Sequence, residues 1–130
     1  MAEHPNVTSL RNVYEAFGKG DLDTVRQQWT DDITFHIKGL ASLDGDYKGP
    51  DAVIGFFGKL MEATNGTFRL DINTILADDE HSVVLATEHA DRNGRTRTAD
   101  VVHVAHMRDG KTQEFWTAMT DPEAELAFWR

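Results

Sequence analysis

The chain has 130 residues, a hydrophobic share of 40% and a charged share of 27%, which is the composition of one globular domain. Its formal net charge of −9 disfavours nucleic acid and anionic membranes as partners, because both require clustered cationic side chains. The sequence contains no cysteine, which excludes disulfides, thiolate metal sites and cysteine nucleophiles.

The sequence also gives expectations about targeting and domain number. No stretch approaches the roughly 18 uninterrupted apolar residues that a membrane-spanning helix needs. Residues 1–5 carry an acid and a proline where a signal peptide would have basic and then apolar residues, so we expect a cytoplasmic location. Since no linker, repeat or low-complexity segment interrupts the chain, residues 1–130 are predicted to form a single domain.

The N-terminal part of the chain has the periodicity of helices. Apolar side chains at helical spacing predict a first helix over residues 5–19. Asp21 then has the position of an N-cap and predicts a second helix that includes Trp29. Alternating apolar and polar side chains over residues 33–38 are typical of a half-buried strand.

A glycine-rich segment separates this strand from a third helix. Three glycines and a proline predict a loop over residues 39–50. Asp51 is predicted to cap the helix that follows. Gly55 and Gly58 weaken that helix by roughly 1 kcal/mol each relative to alanine, which suggests another role for them, such as close packing on the sheet or access to the pocket.

The second half of the chain has a period of two, which is typical of antiparallel strands. Asn93-Gly94 and Asp109-Gly110 predict two-residue hairpin turns, and the basic residues 92–97 are predicted to form a solvated hairpin tip. Asp121 followed by proline has the order of a helix start. The strands are predicted from residue 67 onward, over residues 82–90, over residues 96–107, and up to residue 120.

Helices followed by a run of antiparallel strands indicate an α+β fold and argue against alternating βαβ units. We predict a cone-shaped, curved antiparallel (mixed) sheet that wraps around the N-terminal helices and encloses an apolar pocket. Such a pocket would take a small apolar ligand or substrate.

Several segments, in the correct order, resemble the SnoaL-like proteins of the nuclear transport factor 2-like and ketosteroid isomerase-like superfamily. They are YEAFGKGDLD at residues 14–23, DDITFH at residues 31–36, YKGPDAV at residues 47–53 and RDGK with EFW at residues 108–116. The resemblance implies the cystatin-like α+β barrel of that superfamily. It does not imply one activity, because the superfamily contains isomerases, cyclases, hydrolases, dehydratases and non-catalytic binding domains.

The candidate site is centred on His103. A two-residue turn at Asp109-Gly110 pairs Arg108 with Lys111, and the simple register then places His103 opposite Trp116 on one sheet face. An imidazole among apolar groups is a plausible general acid or base near neutral pH. A buried histidine that is merely satisfied by a neighbour is the alternative.

The resemblance implies roles for the same region. His103 falls where polyketide cyclases have their catalytic aspartate and where ketosteroid isomerases have a protonated aspartic acid. Tyr14 is the best second polar group for the pocket, although the isomerases' oxyanion tyrosine aligns nearer Val13. Ile37 occupies the column of the isomerases' general base, which argues against steroid isomerisation by the known mechanism.

A further comparison concerns the limonene-epoxide hydrolases. His89 replaces their arginine and Ala118 replaces their second aspartate, so the incomplete triad argues against epoxide hydrolysis. His89 is also a candidate substrate contact. The simple register places it on the other face of the sheet from His103, unless a bulge intervenes. The other candidate substrate contacts are Trp116, Trp29, Phe57, Phe35 and Met107, which are alternatively plain core residues.

We expect no metal and no cofactor, because the histidines lack any metal-ligand spacing. The first functional hypothesis is a cofactor-free acid/base enzyme (isomerase, cyclase or dehydratase type) that acts on a small apolar carbonyl compound through His103 and Tyr14. The alternative is a non-catalytic ligand-binding or dimeric scaffold domain. The resemblance implies a homodimer that pairs through the outer sheet face, with Thr98, Val102, Val104 and His106 as interface candidates.

Overall fold

The computed structural model describes residues 3–130, so Met1 and Ala2 of the signal-peptide argument lie outside the described residues. Within these residues, four α-helices and six strands follow one another. Their bounds are α1 Pro5–Gly18, α2 Leu22–Gln27, β1 Trp29–Ile37, β2 Gly45–Lys48, α3 Pro50–Ala63, β3 Arg69–Ala77, β4 His81–Arg92, β5 Arg95–Arg108, β6 Lys111–Met119 and α4 Pro122–Trp129, with a short 3-10 helix at Ala41–Leu43 between β1 and β2.

The six strands form one mixed sheet in the order β2-β1-β6-β5-β4-β3. β1 and β6 run parallel, and every other neighbouring pair is antiparallel. The predicted α+β class is therefore confirmed. The helices cover the inner face of the sheet, which is the face that carries Val101, His103 and Ala105. Among residues 3–130, no helix is long and apolar enough to cross a membrane.

Two helix starts agree with the prediction and one does not. The carboxylate of Asp21 accepts a hydrogen bond from the Thr24 amide at 3.2 Å, and Asp121 accepts one from the Ala124 amide at 3.1 Å. Asp51 is not the cap of α3. Gly49 takes that position with φ of 88°, and Pro50 occupies the first helical position, where its fixed φ suits the helix.

Two further predictions about the N-terminal half are wrong. Trp29 opens β1 instead of ending α2, because it is 5% exposed and packs against Phe35 with ring centroids 5.7 Å apart. Residues 39–50 are not a continuous loop, since β2 pairs with β1 and places Tyr47 opposite Phe35. The Tyr47 hydroxyl donates to the Leu43 carbonyl at 2.6 Å, which fastens the short 3-10 helix to this strand.

Both predicted hairpin turns are confirmed. Arg92 pairs with Arg95 across Asn93-Gly94, and Arg108 pairs with Lys111 across Asp109-Gly110. Each turn places both of its residues at positive φ, between 51° and 79°, which is the conformation that Asn-Gly and Asp-Gly sequences favour.

A β-bulge in β6 changes the register that the second turn predicts. His106 pairs with Glu114 and Met107 pairs with Thr112, so Gln113 is left without a partner residue on β5. Beyond the bulge His103 lies opposite Thr117. The prediction that His103 faces Trp116 is therefore wrong, because one extra residue moves every following side chain of β6 to the other face.

The tip of the first hairpin is exposed at residues 93–96, as predicted, but the arginines of this hairpin also hold α4. Arg92 donates to the Trp129 carbonyl at 3.2 Å, and Arg95 donates to the Arg130 carbonyl at 3.0 Å. Arg97 Nε donates at 2.9 Å to Oε2 of Glu125, a carboxylate with no exposed surface. Cationic groups thus satisfy the last carbonyls of the C-terminal helix, where such groups are stabilising.

We predict that Arg97→Met lowers the free energy of unfolding by about 3–5 kcal/mol, because it leaves the buried Glu125 carboxylate without its cationic partner. The double variant Arg97→Met/Glu125→Leu should recover most of this loss. Arg69→Met is the matched control, since Arg69 is exposed and its ion pair with Asp71 contributes at most about 1 kcal/mol. Urea unfolding measures all three variants, and an Arg97→Met variant as stable as the wild type would contradict the prediction.

Candidate functional site

An apolar cavity of about 110 Å³ lies between the helices and the inner face of the sheet. Its wall consists mainly of aliphatic and aromatic side chains from α1, α3 and the inner sheet face. The ionisable side chains in the wall are Tyr14, Glu88 and His103. An engineered cavity of roughly 150 Å³ holds one benzene molecule, so this cavity suits a ligand of about single-ring size.

Tyr14 and His103 both point into the cavity, Tyr14 through the helical spacing of α1 and His103 through the alternation of side chains along β5. Leu10, Tyr14 and Phe17 are spaced along one face of α1 and all line the cavity. Val101, His103 and Ala105 alternate on the inner face of β5 and are 3%, 8% and 4% exposed. The two sets meet across the cavity.

The contact between the two side chains is a short hydrogen bond. Tyr14 Oη lies 2.6 Å from His103 Nδ1, and the two rings are stacked at an angle of 15° with centroids 5.7 Å apart. The imidazole also packs against Phe115, with ring centroids 4.9 Å apart. The two predicted catalytic residues therefore form one pair, 89 positions apart in the sequence.

Burial keeps both members of this pair neutral. Loss of solvation lowers the pKa of His103 to about 4, and it raises the pKa of Tyr14 above its ordinary value. A neutral imidazole has one donor and one acceptor nitrogen, so two arrangements of the hydrogen bond are possible. Either Tyr14 donates to Nδ1 and the Nε2–H is free, or Nδ1–H donates to Tyr14 and Nε2 is free to accept a proton.

Glu88 is a site residue that the sequence-based site prediction did not include. It lies on the inner face of β4, lines the same cavity and is 3% exposed. Burial, and then the hydrogen bond and charge of Glu125, raise the pKa of Glu88 to about 9. The available signal was strand alternation, since the Asn93-Gly94 register places Glu88 on the same face as His103.

Three of the predicted aromatic contacts lie in the cavity wall. Trp29, Phe35 and Phe57 pack on one another with ring centroids 5.7 to 5.9 Å apart. Ile37 and Val13 also line the cavity, so the positions that correspond to the isomerases' base and oxyanion tyrosine are aliphatic.

Three other predicted contacts do not reach the cavity. Trp116 lies on the outer face, stacked on His36 with centroids 5.1 Å apart, because the bulge at Gln113 reverses its direction. His89 also faces outward and hydrogen-bonds Asp71 at 2.8 Å, since β4 and β5 pair without a bulge at that position. Met107 is buried near the end of β5 and lies outside the cavity wall.

No group of three or more histidine, aspartate or glutamate side chains within residues 3–130 is arranged to hold a metal ion. His36 instead bonds two carboxylates, Asp46 and Glu114, each at 2.7 Å. These carboxylates raise the pKa of His36.

Comparisons with known proteins agree with this architecture. The model of the SnoaL-like domain family matches residues 10–115. An uncharacterized protein of Mycobacterium tuberculosis is 28% identical over 133 residues, which cover 99% of each chain.

Solved structures share the fold over nearly the whole chain. Bal32a, from a soil-derived mobile gene cassette, is 27% identical with a TM-score of 0.91 and 97% of each chain covered. An NTF2-like protein of unknown function from Burkholderia pseudomallei is 28% identical, with a TM-score of 0.86 over 96% of this chain and 97% of that one. IdmH from Streptomyces antibioticus, which is proposed to be a polyketide cyclase, has a TM-score of 0.74 over 95% and 99% at 18% identity, a likeness of fold alone.

We predict that burial of His103 makes the folded protein less stable at acidic pH. Its folded pKa of about 4 lies below the ordinary 6.5, so on acidification the unfolded chain takes up this proton before the folded protein does. The resulting stabilisation is complete above pH 6.5 and is lost as the pH falls toward 4, by up to about 3 kcal/mol. His103→Gln should remove this component of the stability–pH curve. Urea unfolding from pH 7.5 to 4 measures the difference between the two curves, and parallel curves would contradict the prediction.

Proposed function

The chain belongs to the SnoaL-like domain family, and we propose that its cavity binds a small, largely apolar carbonyl compound and that His103 and Tyr14 transfer a proton on it. The observation that carries this proposal is the 2.6 Å hydrogen bond between Tyr14 and His103 in the wall of a largely apolar cavity. Such a pair would catalyse an isomerisation, a cyclisation or a dehydration.

The proposed step uses the arrangement in which Nδ1–H of His103 donates to Tyr14 Oη. The Tyr14 hydroxyl then donates to the carbonyl oxygen of the ligand, and His103 Nε2 removes a proton from the adjacent carbon. The electrons of the broken C–H bond form the enol double bond, and the charge that develops on the oxygen is stabilised by Tyr14. Return of the proton to another carbon would complete an isomerisation.

The surroundings suit this chemistry in two respects. A desolvated imidazole with its pKa lowered to about 4 is neutral at pH 7, which is the form that can accept a proton. Such an imidazole is a weak base, so the hydrogen bond from Tyr14 to the developing charge has to supply much of the stabilisation. A cavity that excludes water strengthens that hydrogen bond.

The family resemblance supports the same class of reaction. IdmH shares the fold, and a cyclisation of a polyketide proceeds through loss of a proton beside a carbonyl group. Histidine at the position of the cyclases' aspartate retains a group that can take up and return a proton. The volume of the cavity suits a carbonyl compound of about single-ring size as the substrate.

Exchange of the α-hydrogens of cyclohexanone with deuterium from D₂O tests the proposal. We expect the protein to accelerate this exchange above the buffer rate, and His103→Gln and Tyr14→Phe each to lower the acceleration about 100-fold, because they remove the base and the oxyanion donor. NMR follows the reaction. His81→Gln is the control, because His81 is an exposed histidine outside the cavity. Equal rates in all four proteins and in buffer would argue against catalysis.

The alternative function is a non-catalytic ligand-binding or dimeric scaffold domain. The Tyr14–His103 hydrogen bond also gives the Tyr14 hydroxyl and His103 Nδ1 a partner without any substrate, as a purely structural pair would. Binding of cyclohexanone without any acceleration of exchange would favour this alternative.

A homodimer that forms through the outer sheet face is proposed for either function. Val104 and Leu85 are 38% and 40% exposed on that face, and Val102 lies opposite Leu85 on the neighbouring strand. Thr98 and His106 extend the same face of β5. Exposed aliphatic side chains that adjoin one another on a sheet are characteristic of association surfaces.

We predict that Val104→Lys converts the dimer to a monomer, since it places a charge at the centre of the proposed apolar interface. Sedimentation velocity at micromolar concentration measures the change. Glu62→Lys, on the exposed surface of α3, should leave the sedimentation coefficient as in the wild type. A wild-type protein that sediments as a monomer would overturn the proposal.

A further inference from the structure

Glu88 lies within the same cavity but is separate from the Tyr14–His103 pair. It occupies the inner face of β4 opposite Ala99, whereas His103 lies four residues further along β5. Both side chains line the cavity. The cavity therefore has ionisable side chains at two positions along its length, with Ala86 and Val101 on the strands between them.

A neighbouring carboxylate holds Glu88 in its protonated form. Glu125 is completely buried, and its two oxygens accept hydrogen bonds from Arg97 Nε at 2.9 Å and from Trp129 Nε1 at 2.8 Å. These two donors favour the ionised form of Glu125. Two adjacent buried carboxyl groups cannot both ionise, so Glu88 carries the proton and donates it to Glu125.

This arrangement leaves one oxygen of the Glu88 carboxyl group without a hydrogen-bond donor. Glu125, which is ionised, accepts the proton of Glu88 and has none to return, and among residues 3–130 the buried Oε2 of Glu88 has no hydrogen-bond partner. A buried polar atom without a partner is destabilising, and such atoms are uncommon in folded proteins. A carboxylic acid that donates its proton to a neighbour presents a carbonyl-type oxygen, which accepts a hydrogen bond and cannot donate one.

We propose that Glu88 is a ligand-binding residue that accepts a hydrogen bond from a hydroxyl group of the bound compound, at the end of the cavity away from His103. The inference rests on the proposed function, since it assumes that the cavity binds a carbonyl compound. It narrows the ligand class to hydroxy carbonyl compounds, with the carbonyl oxygen at the Tyr14–His103 pair and the hydroxyl at Glu88. Glu125, Arg97 and Trp129 act as positioning residues that direct the proton of Glu88 away from the ligand.

The preference between ligands with and without a hydroxyl group depends on whether that hydroxyl group finds a hydrogen-bond partner in the cavity. A site that pairs a ligand hydroxyl favours the hydroxylated compound, and the same site with the acceptor removed disfavours it, because the hydroxyl then enters an apolar cavity unpaired. Removal of Glu88 should therefore reverse the order of affinity between two otherwise matched ligands. A purely structural role of Glu88 does not predict this reversal.

The test compares cyclohexanone with 4-hydroxycyclohexanone by NMR titration. For the wild type we expect the hydroxylated ketone to bind about 5-fold more tightly, which is the effect of one neutral hydrogen bond. In Glu88→Met, which replaces the carboxyl with an apolar chain of similar length, the hydroxylated ketone should bind about 5-fold more weakly than cyclohexanone. Glu88→Gln retains a carbonyl acceptor and should keep the wild-type order.

The matched control is Glu62→Gln, on the exposed surface of α3, which should keep both affinities. A measurement on the unaltered protein makes the test independent of variant folding. 4-Hydroxycyclohexanone should shift the side-chain carboxyl carbon resonance of Glu88, and cyclohexanone should not.

The outcomes separate the two proposals. A preference for the hydroxylated ketone that persists in Glu88→Met, or a carboxyl resonance that this ketone leaves unmoved, would overturn the role of Glu88 while the proposed function stands. Failure of both ketones to bind the wild type would overturn the proposed function, and the role of Glu88 with it.

Discussion

The parallel pairing of β1 with β6 joins the helical N-terminal half of the chain to the antiparallel strands of the C-terminal half. At the centre of this pair Phe35 lies opposite Phe115, and their rings stack with centroids 4.2 Å apart. α1 packs against β3 and α3 packs against β1 and β2, and side chains of both helices line the cavity together with the inner face of β5. The cavity and the contact between Tyr14 and His103 depend on the pairing of β1 with β6.

Desolvation governs the chemistry inside that cavity. The same loss of water lowers the pKa of His103, raises the pKa of Tyr14 and raises the pKa of Glu88, so each group is neutral near pH 7. Neutral groups can exchange protons with a ligand without separating full charges in an apolar medium. The charged pair Arg97–Glu125 lies behind Glu88, where it controls the position of a proton.

The fold also keeps a second set of ionisable groups apart from the cavity. The bulge at Gln113 directs Trp116 outward, where it stacks on His36 and packs against His106 with ring centroids 5.0 Å apart. The carboxylate of Glu114 accepts a hydrogen bond from His36 and lies 3.3 Å from His106 Nδ1. The outer face is therefore polar at this end and aliphatic around Val104, which suits an association surface better than a binding pocket.

The sequence by itself determined the α+β class, both hairpin turns, the helix caps at Asp21 and Asp121, and the inward direction of His103. These features follow from local periodicity and turn chemistry, which depend on residues close together in the chain. It also singled out Tyr14, although only the resemblance and the need of a buried hydroxyl for a partner pointed to that residue.

The tertiary structure alone decided the rest of the site. The outward direction of Trp116 depends on a one-residue bulge, which alternation within a single strand does not reveal. The pairing of β2 with β1 and the place of Trp29 in β1 depend on packing against residues far along the chain. The protonated state of Glu88 depends on Glu125, which lies 37 positions later in the sequence. Only the folded chain brings these two carboxyl groups together, so the sequence did not reveal this part of the site.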